Sequence, residues 1–378
     1  MIPSLEISGG AEKNAYNLGL KLSEEYDVRY LKFYDSDNEY NVEKNYYSHN
    51  EKHGKNWLTK IFFILKRLIF IKKVLGEYKP NLVISFGFYS NLFVSLVSLK
   101  RSYKVVLSVR NSNIYRLNPI MRTLSWFFYR RMDATHVITK KMQSILLSLG
   151  IKNTTLIYNG HNLELYKRLA KEPLPINVSD NKYVYLNVGR LNSQKGQWHL
   201  LKAFSICARN NSNAILIIIG EGQLRKDLES LIESLNIKDK VLIIKNTRNI
   251  FPYIQRANCF CFTSIYEGLP NVLIEAISIG KPIVTTDCIS GPREIVFPEL
   301  DIEEKIEYPY RSSSGILTAP FPFSDIDVST KIYPLEEEYA IAMERIANDS
   351  RHDFNQSNKS MIFSEDVIIK KWKKLIET

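Results

Sequence analysis

The stretch YEGLPNVLIEAISIGKP, residues 266–282, decides the fold of this chain. Two short apolar runs flank it, at 259–263 and 282–286, and each has the length and the turn residues typical of a buried strand. Between them the pattern predicts a short helix, because Pro270 suits a first helical turn and Gly280 is typical of a helix end. The stretch therefore predicts a strand, a helix and a second, parallel strand.

The start of this predicted helix is a candidate anion site, because free backbone amides and the positive end of the helix dipole bind phosphate. Glu267 and Glu275 bracket the site. Carboxylates repel phosphate, so we expect both to accept hydrogen bonds from hydroxyls on either side of it. A nucleotide sugar, with its ribose diol, diphosphate and hexose diol, has that layout. The other candidate binding residues here are Gly268, Leu269, Asn271, Val272 and Leu273. The alternative is an ordinary amphipathic helix with solvent-facing glutamates.

Length and charge limit the possible classes of protein. A chain of 378 residues is long enough for two domains. The formal net charge of +11 indicates an anionic partner, which leaves nucleic acid, an acidic membrane or phosphorylated substrates open. The four cysteines have neither disulfide nor metal-ligand spacing, and we expect buried, reduced thiols. The start does not resemble a secretion signal and no apolar run reaches a membrane span, so we expect a protein that is soluble or attached to a surface.

Two series of alternating strands and helices predict an α/β protein with two Rossmann-like, doubly wound domains that face each other across a cleft. Predicted strands of the first series lie at 28–33, 81–85, 103–109, 134–139 and 154–158. The second series starts with predicted strands at 181–189, 214–219 and 240–244 and continues with those at 259–263 and 282–286. The predicted divisions are an amino-terminal domain at 1–165 with a truncated first strand, a linker at 166–180, a carboxyl-terminal domain at 181–350, and a last segment at 351–378 with an amphipathic helix.

Glycines and cations follow several predicted strands, where ligands of such sheets bind. Arg190 and Lys195 lie five residues apart in a strand-to-helix turn and can converge on one diphosphate. Gly220 and Gly222 allow a nucleotide to approach the backbone closely. Arg110 is a candidate contact for an anionic donor or acceptor, with a salt-bridged surface arginine as the equal alternative. The opening Gly9 and Gly10 precede a predicted helix, which makes a second candidate phosphate site.

Two stretches, 56–75 and 122–131, combine aromatic and basic residues. Such helices can lie on an anionic bilayer. An alternative for 56–75 is a crossover helix that packs its apolar face on the sheet, and this is the favoured interpretation in a chain that alternates strands and helices. Both interpretations hold together if the lysines and arginines lie on the outer face.

Five motifs in order resemble the carboxyl half of the retaining nucleotide-sugar glycosyltransferases of family 4, which have the GT-B fold. They are GRLNSQKG (189–196), IIIGEG (217–222), EGLPNVLIE (267–275), GKPIVTTD (280–287) and SGPREI (290–295). The opening GGAE (9–12), the stretch around 79–81 and the last helix fit the same family. The chain departs from it at Arg110, where many members have histidine, and at Lys245, where many have a small residue.

The resemblance implies a role for each matched residue. It places Glu267 at the sugar hydroxyls, Glu275 at the ribose, and Arg190 with Lys195 on the diphosphate. It also implies that the glycine pair at 9–10 closes over the phosphates, and that the final helix crosses back to the first domain.

Together these features predict a metal-independent, retaining transferase without a cofactor, in which Arg190, Lys195 and Glu267 carry the chemistry. Its donor is a UDP-sugar or another nucleotide-diphosphate sugar. Its acceptor is a lipid-linked sugar of bacterial capsule or O-antigen assembly, and the enzyme is expected in the cytoplasm, peripheral on the inner face of the cell membrane. The alternatives are an epimerase of the same fold, which needs no acceptor, and an inactive nucleotide-sugar-binding scaffold. Nucleic-acid binding is disfavoured because the basic residues are spread over both halves.

Overall fold

The structure is a computed structural model that describes residues 10–33, 46–48, 57–110, 119–349 and 357–377. The chain forms two compact units. The first unit comprises residues 1–160 with 365–378, and the second unit comprises residues 161–364. The predicted first strand and Gly9 lie outside the described residues. The predicted linker falls within the second unit, and the domain limits given above remain predictions.

The second unit is built on one seven-stranded sheet in the order β12-β13-β11-β10-β7-β8-β9, in which only β12 is antiparallel to its neighbour. Its strands are β7 (Tyr183–Val188), β8 (Ala214–Ile219), β9 (Val241–Ile244), β10 (Cys259–Phe262), β11 (Ile283–Thr286), β12 (Tyr310–Ser312) and β13 (Gly315–Thr318). Most of these strands are continuous apolar runs, as expected for a parallel sheet covered on both faces.

Eight α-helices of the second unit connect or cover these strands among the described residues. They are α6 (Leu163–Leu169), α7 (Gln197–Asn210), α8 (Arg225–Ser234), α9 (Phe251–Arg256), α10 (Asn271–Ser278), α11 (Pro292–Val296), α12 (Pro334–Ala347) and α13 (Ser357–Ser360). The core contains Trp198 and Phe204 of α7, both fully buried. Tyr339 of α12 fixes the sheet, because its hydroxyl donates to the carbonyl of Val284 at 2.7 Å and accepts from the amide of Phe262 at 2.9 Å.

The described strands of the first unit form two separate parallel sheets, β1-β2 and β3-β4-β5-β6. The strands are β1 (Tyr30–Lys32), β2 (Tyr46–Ser48), β3 (Leu82–Phe86), β4 (Lys104–Val109), β5 (Ala134–Val137) and β6 (Thr154–Leu156). The helices are α1 (Gly10–Leu22), α2 (Trp57–Tyr78), α3 (Phe88–Val97), α4 (Pro119–Tyr129), α5 (Lys140–Ser148) and the last helix of the chain, α14 (Glu365–Glu377). A cavity of about 530 Å³ is lined by residues of both β1 and β3.

The final helix belongs to the first unit, as predicted. Trp372 of α14 is buried, and its ring lies 4.5 Å from the ring of His136 on β5. Lys373 also donates to Glu25 at 2.5 Å, just beyond the end of α1. The apolar side of the predicted amphipathic helix therefore packs in the first unit, where its Ile368 is buried as well.

Strands β12 and β13 are antiparallel to each other and meet in a tight hairpin. Gly315 permits the arrangement, because a Cβ at this position would lie 1.9 Å from the carbonyl oxygen of Ile283 on β11. The predicted helix over 56–75 is confirmed as α2, which continues to Tyr78. All four cysteines are buried and free, as expected.

Candidate active site

The loop between β7 and α7 brings Lys195 to the carboxyl end of β10. Gly196 has φ +61°, and a Cβ there would lie 2.4 Å from the carbonyl oxygen of Thr263, so this position requires glycine. The hydroxyl of Thr263 donates to the carbonyl of Lys195 at 3.0 Å. The lysine side chain then passes over Gly189, where an added Cβ would contact its Cδ at 3.3 Å. The glycines at both ends of the motif GRLNSQKG thus shape the path of Lys195.

Lys195 and Glu267 form an ion pair with Nζ and Oε1 2.5 Å apart, and only 16% and 9% of the two side chains is exposed. The amide of Glu267 donates to the carbonyl of Ile289 at 3.3 Å, which joins the loops after β10 and β11. The pair lies close to Cys288: burial raises the pKa of that thiol, the charge of Glu267 adds to the effect, and Lys195 opposes it. Removing one partner of such a pair leaves an uncompensated buried charge.

Helix α10 begins at Asn271, close to the position predicted, with Pro270 at its N-cap. A proline side chain has no acceptor for the amides of the first turn, which leaves the positive end of the helix dipole to other partners. Gly291, with φ +97°, supports this loop, because a Cβ there would lie 2.3 Å from Cδ of Pro270 and 2.8 Å from the carbonyl oxygen of Gly268. Glu275 follows in the second turn and is partly exposed.

The side chains of Leu269 and Leu273 are buried, with 7% and 0% of each residue exposed. Their side chains therefore anchor the loop and the helix, and any contact with a ligand at these positions comes from the backbone. Asn271 and Val272, by contrast, are partly exposed at the start of α10.

The glycines after β8 have a packing role that the sequence did not reveal. A Cβ on Gly220 would lie 1.9 Å from the carbonyl oxygen of Gly189, and a Cβ on Gly222 would lie 2.2 Å from that of Leu191. The amide of Leu191 in turn donates to the carbonyl of Glu221 at 2.8 Å. The close approach predicted at these glycines is therefore made by the neighbouring loop of the same unit, which fixes the backbone beside Arg190.

Arg190 has a fixed backbone and an exposed side chain. Its carbonyl accepts from Nε2 of Gln197 at 3.1 Å and from the amide of Asn192 at 3.0 Å. Within the described ranges its guanidinium makes no hydrogen bond or ion pair. It is therefore available to a ligand, whereas Lys195 on the same loop already has a carboxylate partner.

The arginine of the motif SGPREI has a structural role in the second unit. Arg293 donates through Nε to Oδ2 of Asp287 at 3.1 Å, and through Nη1 to the carbonyls of Asp301 and Glu304 at 2.9 and 2.7 Å. The hydroxyl of Tyr308 donates to the same carboxylate at 2.7 Å, and burial raises the pKa of Tyr308 to about 12. This cluster fixes the irregular segment before β12 onto the end of β11.

In the first unit, Arg110 follows β4 and is partly buried. Its Nη2 donates to Oδ1 of Asn159 at 2.6 Å, and its guanidinium lies 5.7 Å from the centre of the Phe86 ring. Burial lowers the pKa of Arg110 to about 10, and the charge of Glu12 acts in the opposite direction. Gly10, the other glycine of the opening pair, is the first residue of α1.

Sequence reasoning missed His136 on β5. Its Nδ1 lies 2.9 Å from the hydroxyl of Ser108 and its Nε2 lies 2.8 Å from the carbonyl of Ile157. Because a carbonyl only accepts, Nε2 carries the proton and Nδ1 accepts from Ser108. Burial, followed by the nearby charge of Arg110, lowers the pKa of His136 to about 3, so this histidine is neutral at pH 7. The only signal for His136 in the sequence was a single histidine within a predicted apolar strand.

Two protein-family descriptions match the chain in succession. "Glycosyltransferase Family 4" matches residues 8–165, and "Glycosyl transferases group 1" matches residues 171–300. The first therefore covers most of the first unit, and the second covers the strands, loops and helix that hold Lys195 and Glu267.

Individual proteins agree with these matches. An uncharacterized glycosyltransferase of Methanocaldococcus jannaschii is 35% identical over 376 residues, which cover 93% of each chain. An α-1,4-N-acetyl-D-galactosaminyltransferase of Campylobacter jejuni, whose name specifies a PP-undecaprenol-linked sugar, is 26% identical over 296 residues, or 76% of this chain and 79% of the relative. The structure of Anabaena HepE in complex with UDP superposes with a TM-score of 0.74 at 18% identity, over 100% of this chain and 99% of that one.

Proposed function

This chain belongs to the family 4 glycosyltransferases of GT-B fold, and we propose that it is a retaining, metal-independent enzyme that transfers a hexose-type sugar from UDP to a lipid-linked oligosaccharide of bacterial surface polysaccharide assembly. The UDP complex of the Anabaena protein and the undecaprenol-linked acceptor named for the Campylobacter relative support the choice of donor and acceptor. No specific contact among the described residues supports the alternative roles of an epimerase or an inactive scaffold.

The observation that carries the proposal is the ion pair of Lys195 and Glu267 beside the start of α10 in the second unit. A diphosphate at this helix start accepts hydrogen bonds from the amides near Asn271 and lies at the positive end of the helix dipole. The ammonium group of Lys195 then neutralises part of its negative charge. Glu267 then accepts a hydrogen bond from a sugar hydroxyl. One preformed pair thus supplies a cation for the leaving group and an acceptor for the sugar.

The proposed reaction is a front-face displacement. The bond between the anomeric carbon and the diphosphate oxygen breaks, while the acceptor oxygen bonds to the same face of that carbon. The acceptor hydroxyl proton passes to the leaving phosphate oxygen. Lys195, Arg190 and the start of α10 stabilise the charge that develops on the diphosphate. Glu267 positions the sugar and Glu275 the ribose, so neither needs to act as a nucleophile.

We propose that these cations take the place of a metal ion in neutralising the diphosphate. In the part of the chain that the structure describes, no group of three or more His, Cys, Asp or Glu side chains is arranged to hold a metal. The proposal is tested directly by activity in the presence of a chelator.

An exposed surface of apolar and basic side chains on the first unit supports the choice of a lipid-linked acceptor. Helix α3 packs against both α2 and α4. Among the side chains that the structure describes, the exposed large apolar residues of α2 and α4 are Ile61, Phe62, Ile64, Leu65, Ile69, Ile120, Leu124, Trp126 and Phe127. Arginines accompany the rings: Arg130 lies 4.5 Å from the centre of Trp126, and Arg131 lies 3.6 Å from that of Phe127. Aromatic residues beside cations are typical of surfaces that bind the interface of anionic bilayers.

None of the described helices is both long and apolar enough to cross a bilayer. We therefore propose peripheral attachment at the cytoplasmic face through α2 and α4, which would place the first unit next to a lipid-linked acceptor.

The test of this function is a panel of nucleotide sugars, assayed with a chelator, in which thermal stabilisation and release of nucleotide are measured for the parent and for Glu267→Gln. We expect one donor to stabilise the parent and to release nucleotide, faster with a lipid-linked acceptor, and we expect Glu267→Gln to abolish that release. Turnover that requires an added divalent metal, or conversion of the donor to another nucleotide sugar without acceptor, contradicts the proposal.

A further inference from the structure

A small pocket in the first unit lies between α1, α14 and the ends of β3, β4 and β6. Its walls include Arg110 and Asn159, the side chains of Asn14, Asn17 and Lys21 on one side, and the ring of Trp372 on the other. Every lining residue belongs to the first unit. The first unit thus builds this pocket from its own residues, and the second unit builds the proposed diphosphate site from its own.

The size of the pocket limits its ligand. Its volume is about 40 Å³, whereas one buried water needs about 10–15 Å³ measured in the same way. The space holds a group of a few heavy atoms, such as one phosphate or carboxylate, and is too small for a sugar ring. Apolar walls from Leu18, Ile368 and Trp372 lower the local dielectric, which strengthens any charged contact made inside it.

The charge of the pocket selects an anion. Arg110 has five N–H donors, and among the described residues it makes one hydrogen bond, to the neutral amide of Asn159. No carboxylate forms an ion pair with it among the described residues. A partly buried guanidinium without an ion-pair partner is costly, and an oxyanion that forms two parallel hydrogen bonds offsets that cost.

The neighbouring charges are consistent with this choice. Glu365 also lines the pocket, but Lys21 lies 3.9 Å from its carboxylate and offsets its charge. Glu12 acts on Arg110 through its charge without a hydrogen bond. His136 accepts from Ser108 at Nδ1 and donates from Nε2 to the carbonyl of Ile157, so it is neutral and adds no charge near Arg110. The net contribution of the lining side chains is therefore positive at the Arg110 end.

We propose that the Arg110 pocket binds one oxyanion group of the acceptor, and that Arg110 is its specificity-determining residue. This inference rests on the proposed transferase function and defines the acceptor more closely, as one that carries a phosphate or a carboxylate. The donor diphosphate is the less suitable occupant, because Lys195, Arg190 and α10 already provide for it.

The test compares the parent, Arg110→Gln and Arg110→Lys on three acceptors with the same sugar and lipid, joined through a diphosphate, a carboxylate-bearing linker or a neutral linker. Losing a hydrogen bond to a charged group corresponds to an increase of about 10- to 100-fold in KM. We expect this for Arg110→Gln with one anionic acceptor, partial recovery in Arg110→Lys, and a donor KM that stays within twofold. The responsive acceptor identifies phosphate or carboxylate as the source. Arg168→Gln, an exposed arginine of α6, is the matched charge control.

A second measurement separates this inference from the proposed function. Trp372 lines the pocket, so inorganic phosphate titrated at constant ionic strength is expected to change tryptophan fluorescence in the parent and in Arg168→Gln but not in Arg110→Gln. This readout needs no turnover and stands even if no donor is used by the parent. An equal response of Arg110→Gln and the parent to phosphate, an equal rise of KM for neutral and anionic acceptors, or a rise in the donor KM alone would overturn the pocket assignment.

Discussion

The two units arrange their β-strands differently. In the second unit β7, its first strand, lies inside a continuous seven-stranded sheet, between β10 and β8. In the first unit the described strands form a two-stranded and a four-stranded sheet, and a cavity of about 530 Å³ is lined by the facing strands β1 and β3. The proposed donor residues thus follow strands of one continuous sheet, whereas Arg110 follows β4 of a four-stranded sheet that no described strand joins to β1-β2.

The two units also differ in how their buried charged side chains are paired. The second unit pairs its buried charges: Lys195 with Glu267, and Lys202 with Asp327 at 2.7 Å. The first unit keeps Arg110 beside neutral partners and exposes aromatic and basic side chains on α2 and α4. We infer that the second unit is specialised for a fixed donor and the first for an acceptor and its membrane. Three predictions, from the largest expected effect to the smallest, test this division.

The largest effect is expected from Lys195→Met in the second unit. Removing one preorganised group that stabilises developing charge costs about 100- to 1,000-fold in kcat, or about 2.7–4 kcal/mol. The expected result is a loss of this size in donor turnover, measured as nucleotide release. Lys226→Met, an exposed lysine of α8, is the matched control and should retain parental turnover. A loss below tenfold in Lys195→Met would mean that other residues stabilise the charge on the leaving diphosphate.

Acid should destabilise the first unit before the second. The pKa of His136 falls from its ordinary 6.5 to about 3 on folding, because burial disfavours its charged form. Above pH 6.5 His136 is neutral in both states and does not affect stability. Below pH 6.5 the unfolded state binds a proton that the folded state does not bind until the pH approaches 3. The free energy of unfolding therefore falls with pH, by about 2 kcal/mol at pH 5. In the second unit, the hydrogen bond from Lys202 holds the pKa of Asp327 well below its ordinary 3.8, so that contribution is lost only at lower pH.

Hydrogen exchange of peptides from each unit between pH 8 and 5 measures this difference. His136→Gln keeps a donor for the Ile157 carbonyl and an acceptor for Ser108, and should remove most of the pH dependence of the first unit. An unchanged dependence in that variant, or simultaneous loss of protection in both units, would contradict the assignment to His136.

The smallest effect is expected at the surface of α2 and α4, for which we propose membrane attachment. Each cation near an anionic bilayer contributes about 1 kcal/mol, so Arg131→Gln should lower partitioning onto vesicles with anionic lipid about fivefold. Arg168→Gln in the second unit should leave partitioning unchanged. Sedimentation with anionic and zwitterionic vesicles provides the comparison, and an equal loss in both variants would show that overall charge, rather than the α4 surface, governs attachment.

Local patterns were sufficient to predict much of the molecule. Apolar runs predicted most strands of both units, though not β2 or β12, and Pro270 with Gly280 predicted the limits of α10 closely. Gly280 ends that helix with φ +75°, and its amide donates to the carbonyl of Ile277 at 2.9 Å. These features are encoded locally, because side-chain periodicity and the conformational preferences of glycine and proline act within a few residues.

Contacts between distant residues were decided only by the tertiary structure. Lys195 and Glu267 were both expected to meet the donor, but their mutual ion pair across 72 positions depends on how β7 and β10 lie side by side. The same holds for His136 between Ser108 and Ile157, and for the glycines after β8, which admit a neighbouring loop. By itself the sequence determined which segments form strands and helices and which residues are suited to a nucleotide sugar. The packing of the sheets decided which of those residues face each other, because pairing between distant segments has no local periodicity.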